Sequence, residues 1–239
     1  TLGAFMKKIL HYEREILEQV TLTSKQIMIV ETYLKLSNKI GVADMTIQKL
    51  ADEMNVSIGS VHYHFGAKGR PNLEQTAVKY VSQESIKFIN YYLDKKLTSN
   101  EFKGVESYIE IMFDWAKRYP HQLKFWLYFL YQSTHHSMYS KMSIEYVPLM
   151  QMRIEHVIIL GAGLGIYPQV NNVSELAKNI HANLLGHIFL SGMYNNGEVT
   201  ENSDVALSST KQLIKAHLEK YSDVTSNIKK LNNDVMATL

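Results

Sequence analysis

The sequence predicts an all-α protein in which three helices near the N-terminus, ending in a helix-turn-helix, precede a larger all-helical region. Apolar residues recur at helical spacing almost throughout, and alternating strand patterns with tight turns are scarce. Each of the four prolines falls at a boundary or a kink. With 239 residues, 46% of them apolar, the chain is long enough for one large domain, or a small module joined to a larger one, with a sizeable core.

Taken in order, residues 1–22 form an amphipathic extension with Phe5, Ile9, Tyr12, Ile16, Leu17 and Val20 on one face. "TLTS" breaks the pattern, and Ser24 is the expected N-cap of a helix that turns Ile27, Val30, Leu34 and Ile40 inward and ends at Gly41. A long helix is expected from Asn72. The next begins near Glu101, buries Tyr108, Ile111, Met112 and Trp115, and stops at Tyr119-Pro120. Pro120 suits the first turn of the following helix, whose "LKFWLYFLYQS" is apolar on nearly all sides and therefore central. A further helix spans Ser137 to Leu160, where Pro148 forces a kink or a restart, and "GAGLGIYPQVNN" reads as loop. Two long helices close the chain. Their stripe of Leu176, Ile180, Leu184 and Ile188, then Val205, Leu213 and His217, packs either within the chain or against a second copy.

Composition narrows the chemistry. The chain has no cysteine, which excludes disulfides, thiolate zinc sites and thiol nucleophiles. Lys plus Arg number 25 against 23 Asp plus Glu, a formal net charge of +2 that neither demands nor excludes a nucleic-acid partner. No activated nucleophile, paired carboxylates or metal cluster can be assembled, so neither an enzyme nor a cofactor is expected. His62 and His64 diverge on a helix, as do His135 and His136. "GAGLG" lacks the strand that a dinucleotide loop follows. No apolar run is long enough to cross a membrane, and the first residues lack a signal-peptide layout, so a soluble cytoplasmic protein is expected.

The stretch from Thr46 to Phe65 carries the most information. Thr46 caps a helix with Ile47, Leu50, Ala51 and Met54 at helical spacing, and Asn55 suits the left-handed turn that ends it. Val56 points back inward. Ser57 caps a second helix whose inward face is Val61 and Phe65. Two short helices so joined make a helix-turn-helix, whose second helix enters the major groove of DNA. Its outward positions are Ile58, Gly59, Ser60, His62, Tyr63 and His64, with Lys68 just beyond. Gly59 costs a helix about 1 kcal/mol relative to alanine, which close approach to a sugar-phosphate strand would justify. By periodicity alone, an ordinary helical corner fits equally well.

"MTIQKLADEMNVSIGSVHYHFGAK" resembles the DNA-binding domain of the TetR family of transcriptional regulators. The resemblance rests on Thr46, Gly59, Tyr63, His64, Phe65 and Lys68, and is close only from Gln26 to Lys68. It implies a DNA-binding domain over 23–71 and an all-helical ligand-binding and dimerisation domain over 72–239. Its DNA contacts carry over to Thr46, Gln48, Ser57, Ile58, Gly59, Ser60, His62, Tyr63, His64 and Lys68, with Gln48 suited to an adenine edge. Two departures stand out: His62 replaces the family's usual tyrosine, and Gly69-Arg70-Pro71 reads as a short insertion. Arg70 is a further candidate for a phosphate.

The resemblance further implies a homodimer on double-stranded DNA, most often a repressor leaving a palindromic operator when a small molecule binds. The aromatic wealth of the larger region suggests an apolar or aromatic ligand, with Trp115, Trp126, Phe129, Tyr146, Met150 and His187 as candidate contacts. Taken singly, these residues read equally well as core. A regulator-like interaction protein answering a protein partner, or without DNA binding, is the alternative.

Overall fold

The computed structural model describes residues 21–66, 69–194 and 204–236, and among them every regular element is an α-helix. The helices are α1 (Ser24–Ile40), α2 (Ile47–Glu53), α3 (Ile58–Phe65), α4 (Arg70–Thr98), α5 (Val105–Arg118), α6 (Pro120–Gln132), α7 (Ser137–Gly163), α8 (Val173–Tyr194) and α9 (Asp204–Met236). The amphipathic segment over 1–22 lies outside the described residues, apart from Thr21 and Leu22. The described residues fall into two compact units: one draws on residues up to 88 and on 118–145, the other on 89–117 and on residues from 146 onward. Both α4 and α7 contribute residues to each unit.

In the first unit, α1 starts one residue earlier than the sequence suggests. Thr23 is the N-cap, because Gln26 three positions on completes a capping box: Gln26 N–H donates to Thr23 Oγ1 at 3.3 Å, and Thr23 N–H donates to Gln26 Oε1 at 3.0 Å. The buried stripe is Ile29, Val30, Tyr33, Leu34, Leu36 and Ser37, which leaves Ile27 exposed at its edge and Ile40 half-buried, where both were expected inward. Gly41 ends the helix as expected. Against α1 stands α6, where Pro120 occupies the first turn and no residue from 120 to 130 is exposed. Phe125 meets Tyr33 edge-on at 5.8 Å. A hydrophobic sequence on all sides here means burial on all sides.

In the second unit, α5 buries nine of its 14 residues and begins at Val105, later than Glu101. Glu110 ties three helices together, accepting from Lys96 of α4 at 2.8 Å and from Lys211 of α9 at 2.6 Å. Burial raises the Glu110 carboxyl, but the two lysines outweigh it and hold it below its ordinary value. Leu176, Ile180, Leu184 and Ile188 of α8 are at most 1% exposed, so this stripe packs within the chain and is not a free face for a second copy. Among the described side chains of the two closing helices, the exposed large apolar residues are instead Phe189, Leu190, Val205 and Leu213.

α7 continues through Pro148 without a restart and reaches Gly163, so "GAG" is helical rather than loop. A local reason explains the glycine at 161. The chain turns back after α7 and drives the ring of Tyr167 against Gly161 and Gly104, where a Cβ on either glycine would collide with it. Its hydroxyl donates to the Val157 carbonyl at 3.2 Å.

Candidate nucleic-acid interface

Local rules build the helix-turn-helix. Thr46 Oγ1 accepts from Lys49 N–H at 3.1 Å and starts α2. Asn55 takes the left-handed conformation, φ 52°, and Val56 N–H donates back to the Ala51 carbonyl at 3.0 Å, which closes the helix end. Ser57 Oγ then accepts from Ser60 N–H at 3.2 Å and starts α3. Val61 is fully buried and Phe65 nearly so, and Ala51, fully buried, packs beneath. A contact that sequence reasoning does not provide secures the far end of α3: Gln26 Nε2 donates to the His64 carbonyl at 3.2 Å.

The outward face of α3 carries Ile58, Gly59 and Tyr63 exposed, with Ser60, His62 and His64 half-buried. Tyr63 projects furthest at 85% exposure, its ring edge-on to His64 at 5.2 Å. Among the described residues nothing requires glycine at 59, since an added Cβ would meet only Ser57 Oγ at 3.7 Å, an ordinary contact. Gln48 is exposed on α2 and donates to Asp52 Oδ1 at 2.6 Å. Lys68 lies outside the described residues.

His62 is partly committed. Its Nδ1 stands 3.4 Å from the Gly66 carbonyl, and its ring covers Gly69, where a Cβ would come within 2.8 Å of Cε1. Arg70 is held by three bonds. Its Nε donates to Glu74 at 2.7 Å, and its two terminal nitrogens donate to the carbonyls of Met45 at 2.7 Å and Val42 at 2.8 Å. Arg70 therefore stitches the start of α4 to the turn ahead of α2.

The six candidate ligand contacts do not gather in one unit. Trp126 and Phe129, rings 4.9 Å apart, are buried in the first, while Trp115, Tyr146, Met150 and His187 belong to the second. Trp115 and Tyr146 are buried, Met150 and His187 half-buried. A cavity of about 720 Å³ in the second unit is lined by Tyr167, Pro168, Ile214, Leu218 and Lys103 among others, and by none of the six. Sequence reasoning missed His181 on α8, which is 6% exposed, has no partner for Nε2 among the described residues and is pushed down to about 4 by burial. Trp115 Nε1 is likewise buried without a partner.

Several solved structures share this architecture. A TetR transcription regulator from Haloarcula marismortui superposes with a TM-score of 0.65 at 18% identity, over 81% of this chain and 98% of that one. A putative transcriptional regulator from Pseudomonas aeruginosa gives 0.61 at 15% identity, over 86% and 97%. FadR from Thermus thermophilus, a TetR-family repressor solved with lauroyl-CoA, gives 0.54 at 15% identity, over 79% and 92%. No protein-family model matches the sequence, and no curated protein matches it. The chain has the all-helical fold of the TetR-family transcription regulators. Among the described residues, no helix is long and apolar enough to cross a membrane.

Proposed function

We propose that the protein is a cytoplasmic, non-catalytic transcription regulator that binds double-stranded DNA through α3 as a homodimer. Residues 23–71 serve DNA, and 72–239 serve a small ligand and the second copy. One observation supports this reading: α3 leaves Gly59 and Tyr63 facing out, and nothing among the described residues requires glycine at 59. A bare backbone beside an exposed phenol suits a sugar-phosphate strand, with Thr46, Ser57, Ser60, His62 and Lys68 positioning the helix and Gln48 reaching bases. Ile58 and His64 complete the face. Two such helices about 34–36 Å apart read successive major grooves of a palindrome.

The regulatory half of the proposal is repression relieved by a largely apolar or aromatic molecule. Its support is the unpartnered Trp115 and His181 nitrogens in the aromatic second unit, together with the acyl ligand of the Thermus neighbour. Ligand binding acts by favouring a state whose paired recognition helices no longer fit the operator. The test is selection of fragments of the source organism's DNA at two salt concentrations. Recovery of a palindrome, weaker at high salt, is expected; nothing above background at either salt rejects DNA binding.

A further inference from the structure

Glu74 is buried at 6% exposure, and donors from three helices converge on its carboxylate. Tyr33 of α1 donates to Oε1 at 3.0 Å, Tyr139 of α7 donates to Oε2, and Arg70 of α4 brings Nε to Oε1 at 2.7 Å. Arg70 then reaches onward to the Met45 and Val42 carbonyls, in the turn that leads directly into Thr46 and α2. All of these residues lie in the first unit, while α7 continues from Tyr139 to residues of the second.

The charge states suit a fixed connection. Burial opposes the guanidinium charge, but the bond to Glu74 and its charge outweigh burial and raise Arg70 above its ordinary value. Burial first, and the carboxylate second, push the Tyr139 hydroxyl up, so it stays a donor. Tyr33 is raised in the same way. The planar fork of arginine holds three bonds in one geometry, which a lysine cannot reproduce.

We propose that Glu74 and Arg70 are positioning residues that couple α7 to the helix-turn-helix, through Tyr139, Glu74, Arg70 and the Val42–Met45 turn. The direction of the effect follows from donor counting. Tyr139 is the donor to Oε2, so its withdrawal leaves half of a buried carboxylate unsatisfied. The carboxylate then gains most by turning both oxygens onto Arg70 as a bidentate pair. That draws a terminal nitrogen of Arg70 off its carbonyl and loosens the turn that sets α2 beneath α3. This coupling rests on the DNA-binding reading for its biological use, but its physical content is testable without DNA.

The test is native-state amide hydrogen exchange on the full chain, comparing residues 42–54 with the core of α8 as a reference. Tyr139→Phe is expected to speed exchange over 42–54 by roughly 5- to 20-fold, and Arg70→Lys by roughly 10- to 100-fold, with α8 unchanged. If Tyr139→Phe leaves 42–54 at the wild-type rate, the coupling is overturned and Arg70 is a local clamp. Equal acceleration in α8 also overturns it, because the contacts then serve global stability alone. Should Arg70→Lys fail to fold, Tyr139→Phe decides by itself. Wild-type binding to a mixed pool of short duplexes is measured in parallel. Its absence, with the exchange pattern intact, removes the regulator reading and leaves the coupling standing.

Discussion

Tyr167 and Gly161 occupy one space: a methyl group on Gly161 would collide with the hydroxyl and Cζ of the tyrosine. Gly161→Ala is therefore expected to destabilise the protein by about 1–3 kcal/mol, the usual cost of overpacking a filled site. Tyr167→Ala destabilises through a cavity, and the double variant costs less than the two single changes together. Equilibrium urea unfolding of the three variants checks this, and additive costs would contradict the shared space.

The caps of the helix-turn-helix predict local losses. Ser57→Ala leaves Ser60 N–H without its acceptor and is expected to cost about 1 kcal/mol, whereas Ser57→Gly costs only a few tenths. Denaturant midpoints for the two variants should separate in that order; the reverse order would mean that Ser57 does not cap α3.

Tyr63 predicts the opposite pattern. At 85% exposure it makes little of the fold, so Tyr63→Ala should change stability by less than about 0.5 kcal/mol. If α3 lies on DNA, the same change lowers affinity for duplex DNA at every salt concentration and leaves the salt slope unchanged, because a neutral phenol releases no counterion. Fluorescence anisotropy at three salt concentrations reads both, and unchanged affinity removes Tyr63 from the interface.

A buried histidine and a half-buried glutamate divide the acid response into separate windows. His181 stays neutral in the fold at about 4, against an ordinary 6.5, because burial penalises its charged form. The unfolded chain therefore takes up a proton that the folded chain refuses. Stability falls as pH drops from 6.5 toward 4, by an amount on the order of 3 kcal/mol. Glu31 acts lower: His121, its Nε2 3.5 Å away, and the Tyr80 hydroxyl at 2.6 Å outweigh burial and hold its carboxyl at about 2. Its contribution is complete above pH 4.5 and is lost as pH falls toward 2. His181→Phe should abolish the upper slope and Glu31→Gln the lower, in unfolding free energies measured from pH 7 to pH 2.5. An upper slope that survives His181→Phe would reject the assignment.

Thr46, Asn55, Ser57, Val61 and Phe65 are legible in the sequence because each role is set within a few residues: a cap, a left-handed turn, an inward face. Ser24 misleads as a cap because the decisive partner, Gln26, suits Thr23 better. The role of Arg70 is not legible, since its carbonyl partners lie 25 and 28 positions away and any residue type offers a carbonyl. The α8 stripe shows that a face is covered without showing by what, and only the packing settles that Leu176 to Ile188 turn into their own chain. Gly161 is opaque for the same reason, because its need for a bare backbone comes from a ring beyond the end of the helix. Sequence spacing also cannot say which aromatics share a chamber, so Trp126 and Phe129 read alongside Trp115 although they belong to the other unit.

The seating of His62 on Gly69 has a practical consequence for transplanting α3. Residues 58–65 are not a portable cassette. The imidazole needs a bare backbone at 69, and Gly69 itself sits at φ 53°. Substituting either partner alone breaks the match, so a graft that keeps this seat must extend at least through Gly69. A chimera cut at Phe65 would inherit the outward face of α3 and lose the brace that aims it.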